Sequence, residues 1–286
     1  MIGVTLLLLS AILVPITDSA NISFYIPADG SMLAAQLYTT HAPIRINSNA
    51  DFTSANGVSA GNGTQLDPYI IEGWDINGTG YGYAIYIGNT TAYFIVRNNW
   101  LHNANGNSGT YYWNTGLILY NVTNGKIENN NVSGNSGEGI LLMGSSNNYI
   151  TNNNASGNSW NGIDLYSSSN NYITNNNASG NLRADILLYI SSNNYIINNN
   201  ASGNSQSGIY LYLSSNNYIT NNNASGNSQS GIVLDTSSNN YITNNNASGN
   251  SYGIYLYLSS NNNITYNKIT ANTNYGVYII SSSTGN

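Results

Sequence analysis

The chain has 286 residues, only 6% of them charged, with a net charge of −6 and a pI near 4.4. That balance excludes the basic footprint of a nucleic-acid-binding protein. There is no cysteine, which excludes a disulfide framework and a thiolate metal centre.

Met1 to Ala20 opens with an apolar run, Ile2 to Ile16, too short for a comfortable membrane span. It reads as a secretory signal cut after Ala20, although no Lys or Arg precedes the run and Asp18 sits near the cut. Asn21 to Leu66 matches no repeat and is expected to form an N-terminal cap, with a first strand around Ile44 and Ile46. From residue 67 to the end, apolar anchors recur at fixed steps. Ile150, Ile173, Ile196, Ile219 and Ile242 are 23 residues apart, and Ile140, Ile163, Ile186, Ile209 and Ile232 keep the same step. Ile71, Val96 and Ile127 continue the first column backwards, and Ile264 continues it forwards. Ile85 and Leu117 precede the second column; Ile254 and Val277 follow it. The longest step, from Val96 to Ile127, places an insertion at His102 to Thr115 that contains Tyr111, Tyr112 and Trp113.

Inside each repeat the apolar signal alternates. Ile163 and Leu165 alternate with Asp164 and Tyr166, the period of a strand with one buried face. Turn formers such as Asn175-Asn176-Asn177 and Gly180-Asn181 separate the strands. One repeat cannot bury a core alone, but coils stacked at a spacing of about 4.8 Å can. The expected fold is all-β, a single-stranded parallel β-helix of about nine coils, roughly 40 Å long at strand spacing. The Asn columns support it, because Asn tolerates left-handed bends and its amides can bond along a stack. Nothing obvious caps the coil that ends at Ile280, which leaves a sheet edge for end-to-end or envelope-protein contact.

The units reading GIxLxxSSNNYIxNNNAS, for example Gly208 to Ser225, resemble the right-handed parallel β-helix repeats of NosD-like proteins and of the wider carbohydrate-binding and sugar-hydrolase β-helix group. The segments His41–Phe52 and Gly61–Ile76 add a likeness to archaeal cell-envelope proteins. The resemblance implies the fold strongly and the function weakly, since such scaffolds carry many functions. In enzymes of this fold the groove lies over the GIxL strand, whose outward positions would include Asp164, Asp185 and Asp235, with Arg183 in the turn. Asp164 and Asp185 are the weak catalytic candidates, spaced as an inverting pair would be; the bland reading is isolated solvated carboxylates. Catalytic constellations of the family do not match this chain. A copper site, which NosD would suggest, lacks ligands: His41, His102, Met1, Met32 and Met143 are not at ligand spacing. No cofactor or metal is expected.

Tyrosines are more numerous, 25 in all. Tyr149, Tyr172, Tyr195, Tyr218 and Tyr241 form one outward column. Tyr166, Tyr189, Tyr210, Tyr212, Tyr255, Tyr257 and Tyr278 form another face; the first six of these, with Tyr111 and Trp113, are the candidate ligand-binding residues. Cross-strand packing alone would explain them; a wall of Tyr rimmed by Asn and Ser also suits sugar rings. Glycosylation sequons occur at Asn62, Asn89 and Asn263 and in the column Asn131, Asn154, Asn177, Asn200, Asn223 and Asn246. The reading is an exported, non-catalytic protein of the cell surface or extracellular space, structural or in contact with polysaccharide or envelope glycans. The alternatives are a polysaccharide lyase or inverting glycoside hydrolase of the same fold, and a module of a larger surface protein or adhesin.

Overall fold

A computed structural model describes residues 38–106 and 113–286. The expected signal and Tyr111 lie outside the described residues. Two ten-stranded sheets and one four-stranded sheet wrap around a single core, and no α-helix occurs among the described residues. Every strand pair is parallel except Val58–Ala60 against Tyr69–Glu72, an antiparallel edge that the repeat pattern does not announce.

The registers follow the columns. In what we call the YIT sheet, Ile71 pairs with Val96, Val96 with Ile127 and Ile127 with Ile150. The repeats then pair isoleucine on isoleucine to Ile264. In the GIxL sheet, Ile44 pairs with Ile85, and the column runs through Leu117 and Ile140 to Val277. These side chains are fully buried from Ile44 to Ile254, each worth about 1.5–3 kcal/mol of apolar burial. The third side carries true strands only early, in Thr39–Thr40, Trp74–Thr79, Trp100–Asn105 and Asn131–Ser133. In the 23-residue coils it shrinks to single bridges such as Asn154 to Asn177. Ile76, Leu101 and Val132 there give way to Ala155, Ala178 and Ala201, all fully buried.

Asparagine makes the corners in two separate ways. Asn152, Asn175, Asn198, Asn221 and Asn244 are exposed with φ of 56–58°, the left-handed bend. Their neighbours Asn153, Asn176, Asn199, Asn222 and Asn245 point inward and are buried. Asn199 shows the pattern: its amide donates to Ile173 O at 2.8 Å and to Asn222 Oδ1 at 3.0 Å. Its own Oδ1 accepts from the backbone N–H and the side-chain amide of Asn176. Parallel ladders run through Asn148–Asn171–Asn194 and through Asn135–Asn158–Asn181. A serine ladder runs through Ser145, Ser168 and Ser191. The backbone groups that a tight corner turns inward are thereby paired without water.

At the N-terminal end Phe52 lies over the core, stacked on Tyr69 at 4.6 Å. At the other end the inward residues of Tyr275–Ile280, Val277 and Ile279, are 41% and 46% exposed.

Candidate functional site

Two outward faces run along the stack. On the YIT sheet, Tyr149, Tyr172, Tyr195, Tyr218 and Tyr241 stack with centroids 4.7–5.0 Å apart and planes within 8° of parallel. Strand spacing sets that distance. The ring faces are therefore spent on each other, and the column shows solvent its edges and hydroxyls. Beside it stand Asn147, Asn170, Asn193, Asn216 and Asn239, exposed and left-handed with φ of 58–60°. The two columns line a groove of about 710 Å³ with no charged residue in its lining. The inward Asn rungs such as Asn176 and Asn199 are bonded coil to coil, whereas no hydrogen bond joins these five amides or five hydroxyls to the described protein. Sequence reading noted the rings; it missed these Asn, which look like any other member of an NN pair.

The GIxL sheet is different. Its outward residues near the N-terminal end are not wet: Tyr83, Tyr86, Ile118 and Leu141 form a buried apolar cluster with Trp113, Tyr120 and Met143 packed on it. Trp113 meets Tyr166 edge-on at 6.5 Å. Tyr166 stacks on Tyr189 at 4.9 Å, and Tyr189 meets Tyr212 tilted by 32°. After Tyr212 the column is interrupted by Asp235 and resumes with Tyr257.

The carboxylates require correction. Asp164 is on the outer face but sealed, not solvated. Its Oδ2 accepts from the Asn161 amide at 3.0 Å, and its Oδ1 has no partner. Burial, and then the charge of Glu138, push it up to about 8. Asp185 is not an outward residue of the strand. It stands one position before Ile186, opposite Gly162, in a column otherwise filled by Gly139, Gly208 and Gly231. Its carboxylate is fully buried and accepts amide bonds from Asn181 and Asn204. Sequence reading also missed Glu138, sealed beside Asp164 with Thr115 Oγ1 donating to it at 2.8 Å; burial raises its pKa. Arg183 does not pair with either acid; it lies over the Trp160 ring, 4.2 Å from the centroid. Asp164 and Asp185 are thus sealed carboxyls rather than the solvated pair expected from the outward strand positions.

Of the sequons, Asn62, Asn89 and Asn263 are exposed. The column from Asn131 to Asn246 is half-buried and bonded along itself: Asn154 Nδ2 donates to Asn131 Oδ1 at 3.1 Å, and Ser156 Oγ donates to Asn154 Oδ1 at 2.7 Å.

The fold and these faces define a parallel β-solenoid with two long lateral surfaces. Residues 156–286 match the right handed beta helix region, which gives the hand of the coil. Residues 36–217 match the family described as periplasmic copper-binding protein (NosD), and the chain belongs to that family. No curated protein sequence matches it. Among solved structures it is similar to the A-module of the mannuronan C-5 epimerase AlgE4 of Azotobacter vinelandii, with 22% identity and a TM-score of 0.64 over 75% of this chain and 63% of that one. The periplasmic alginate epimerase AlgG gives 21% identity and a TM-score of 0.54 over 70% and 48%. Tailspike protein 2 of an Escherichia coli O157:H7 bacteriophage gives 14% and 0.62 over 87% and 38%. The chain thus spans 38–63% of the length of these structures. At such identities the likeness is one of fold.

Copper does not fit the residues. Among the described residues no three His, Cys, Asp or Glu side chains converge. His102 Nε2 is engaged with Asp75 Oδ1 at 2.8 Å, and His41 Nδ1 lies 2.6 Å from Ala42 O. Met143 packs in the apolar cluster of a different sheet. Met1 and Met32 lie outside the described residues.

Proposed function

We propose that the protein is an exported scaffold that holds a neutral polysaccharide along its axis without cutting it. The groove of the YIT sheet carries this reading: one unbonded Tyr hydroxyl and one unbonded Asn amide per coil, repeated along five coils. An extended β-1,4-linked glycan advances by close to one strand spacing per sugar, and because successive sugars are flipped, every second coil meets an equivalent edge. With the ring faces stacked away, recognition is by hydrogen bonds to sugar hydroxyls at the rim. The absence of charge from the groove lining favours a neutral chain. The periplasmic description of the family supports export. No helix among the described residues is long and apolar enough to cross a membrane. The mannuronan and alginate epimerases are proteins of this fold directed at a polysaccharide, which supports a glycan as the ligand class. The non-catalytic part of the reading draws support from the sealing of Asp164, Asp185 and Glu138.

The test uses Asn170→Gly, Asn193→Gly and Asn216→Gly together. Glycine accepts the left-handed bend, so the fold survives while three amides disappear. Affinity for β-1,4-glucan and β-1,4-mannan oligosaccharides should fall at least tenfold with the melting temperature held within a few degrees. Unchanged affinity overturns the groove. Cleavage of either glycan, or of alginate or pectin, overturns the non-catalytic reading.

A further inference from the structure

The GIxL sheet contains one coil where the aromatic wall opens. On the strand Ser230–Asp235 the two outward residues are Val233 and Asp235. The coil before presents Tyr210 and Tyr212 at the same two positions, and the coil after presents Tyr255 and Tyr257. A coil with a small apolar residue and a carboxylate is therefore framed by four phenol rings. The flanking positions are two strand spacings apart, about 9.6 Å. A flat ring in contact on both faces needs about 7–8 Å. The notch has room for one sugar ring; beside it a cavity of about 320 Å³ lies over Val233 between Tyr210 and Tyr255, extending toward Gln229 and Tyr252 rather than over Asp235.

The floor is electrically unbalanced. Asp235 Oδ2 accepts from the Tyr210 hydroxyl at 3.2 Å, and Oδ1 accepts from Thr236 Oγ1 at 3.0 Å. Among the described residues no Lys, Arg or His is within ion-pair distance of it. Its charge is felt by the walls: the Tyr210 hydroxyl is pushed up to about 12 by burial and then by Asp235. The Tyr255 hydroxyl is raised by burial, then by Tyr278 and Asp235. Asp235 itself is only half-buried, so the carboxylate is open to a ligand from solvent.

We infer that this notch is a binding site for an organic ammonium, the protonated amine of an amino-sugar residue seated over Asp235 between the paired tyrosines. A carboxylate at the base supplies a charge-assisted hydrogen bond, and electron-rich ring faces attract the same cation. Neither an acidic nor an N-acetylated sugar obtains both. The site is independent of the neutral-glycan groove, since it lies on another sheet and selects another chemistry.

The test is calorimetric titration with the glucosamine tetramer, its N-acetylated counterpart and methylammonium, at a pH where the amine is protonated. The glucosamine tetramer should bind at least tenfold more tightly than the N-acetylated one. Asp235→Asn should abolish that preference with the melting temperature unchanged. Asn193→Gly, on the other sheet, should leave it intact. Equal binding of the two tetramers, or a preference that survives Asp235→Asn, overturns the site. Methylammonium binding as tightly as the tetramer overturns the sugar seat and leaves a small-amine site.

Discussion

Asn181 donates its side-chain amide to Asp185 at 2.8 Å, inside a coil whose neighbours carry glycine at the position of the acid. At Gly162 and Gly208 an added Cβ would come within 2.6–2.8 Å of ladder amides and backbone carbonyls. Asp185 occupies that crowded column, and the Asn181 amide donates to it and to Ala178 O at 2.7 Å, whereas the preceding Asn158 amide reaches the next ladder oxygen.

The consequence is a stability that depends on pH. Burial raises Asp185 from 3.8 to about 8. Below the lower value the group is protonated in folded and unfolded chains alike and costs nothing. Between the two values the unfolded chain releases a proton that the folded chain keeps, so stability falls as pH rises and levels off above about 8. Asp164, also raised to about 8, acts in the same direction. Asp185→Gly should raise the melting temperature at pH 8 by about 5 °C and change it little at pH 4. Thermal melts across that range check it; a parallel shift at all pH values would count against the buried acid.

The asparagine ladders are structural, and the two kinds of corner Asn should respond oppositely. Asn199→Ala strips donors and acceptors from Ile173, Asn176 and Asn222 at once. Each buried group left unpaired costs about 1–3 kcal/mol. Asn198, its exposed neighbour with φ of 58°, should accept glycine with almost no change. Chemical denaturation of the two variants side by side is the measurement.

Ile190 has φ of 51° and is 45% exposed, in a corner column that also holds Gly144, Ser167, Leu213, Thr236 and Leu258. A β-branched residue there costs about 1–2 kcal/mol of backbone strain with little burial in return. Ile190→Asn should therefore stabilise by about 1 kcal/mol. A loss of stability would mean that the Ile190 side chain contributes packing that outweighs the strain.

The sequon column should carry few glycans even in a host that glycosylates secreted proteins. Asn131, Asn154, Asn177, Asn200, Asn223 and Asn246 are bridged coil to coil, about 4.8 Å apart. A single sugar ring is wider than that gap, and each modified amide leaves the Asn-to-Asn ladder. Occupancy of at most every second site is expected, with Asn62, Asn89 and Asn263 free of crowding. Glycopeptide mass spectrometry from the native source reads it out, and full occupancy of adjacent column sites would contradict the stack.

Most of the fold was legible because a parallel ladder places like on like. Ile150 must pair with a residue one coil away, and a constant step leaves only Ile173. Alternation then fixes which residues face the core. The long step from Val96 to Ile127 marks an insertion, but the expected span His102 to Thr115 is too wide, since His102 to Asn105 belong to the strand Trp100–Asn105 and Thr115 opens the strand Thr115–Val122. The aromatic stacking of Tyr149 on Tyr172 follows from the same periodicity. Even the displacement of Asp185 into the glycine column was written in the alignment of Gly139, Gly162 and Gly208, though only a residue-by-residue comparison of coils would reveal it.

What the tertiary structure alone decided is which polar groups are wet. Asn152, Asn153 and Asn154 are identical in sequence terms, yet one is an exposed bend, one a buried ladder rung and one a half-buried strut. Asp164 and Asp235 both sit at outward strand positions, but the first is sealed and the second is open. The physical reason is that periodicity sets direction from the backbone, while access to water depends on what the neighbouring coils and turns place above each side chain. Direction is a local property of the chain; burial is a property of the assembled stack.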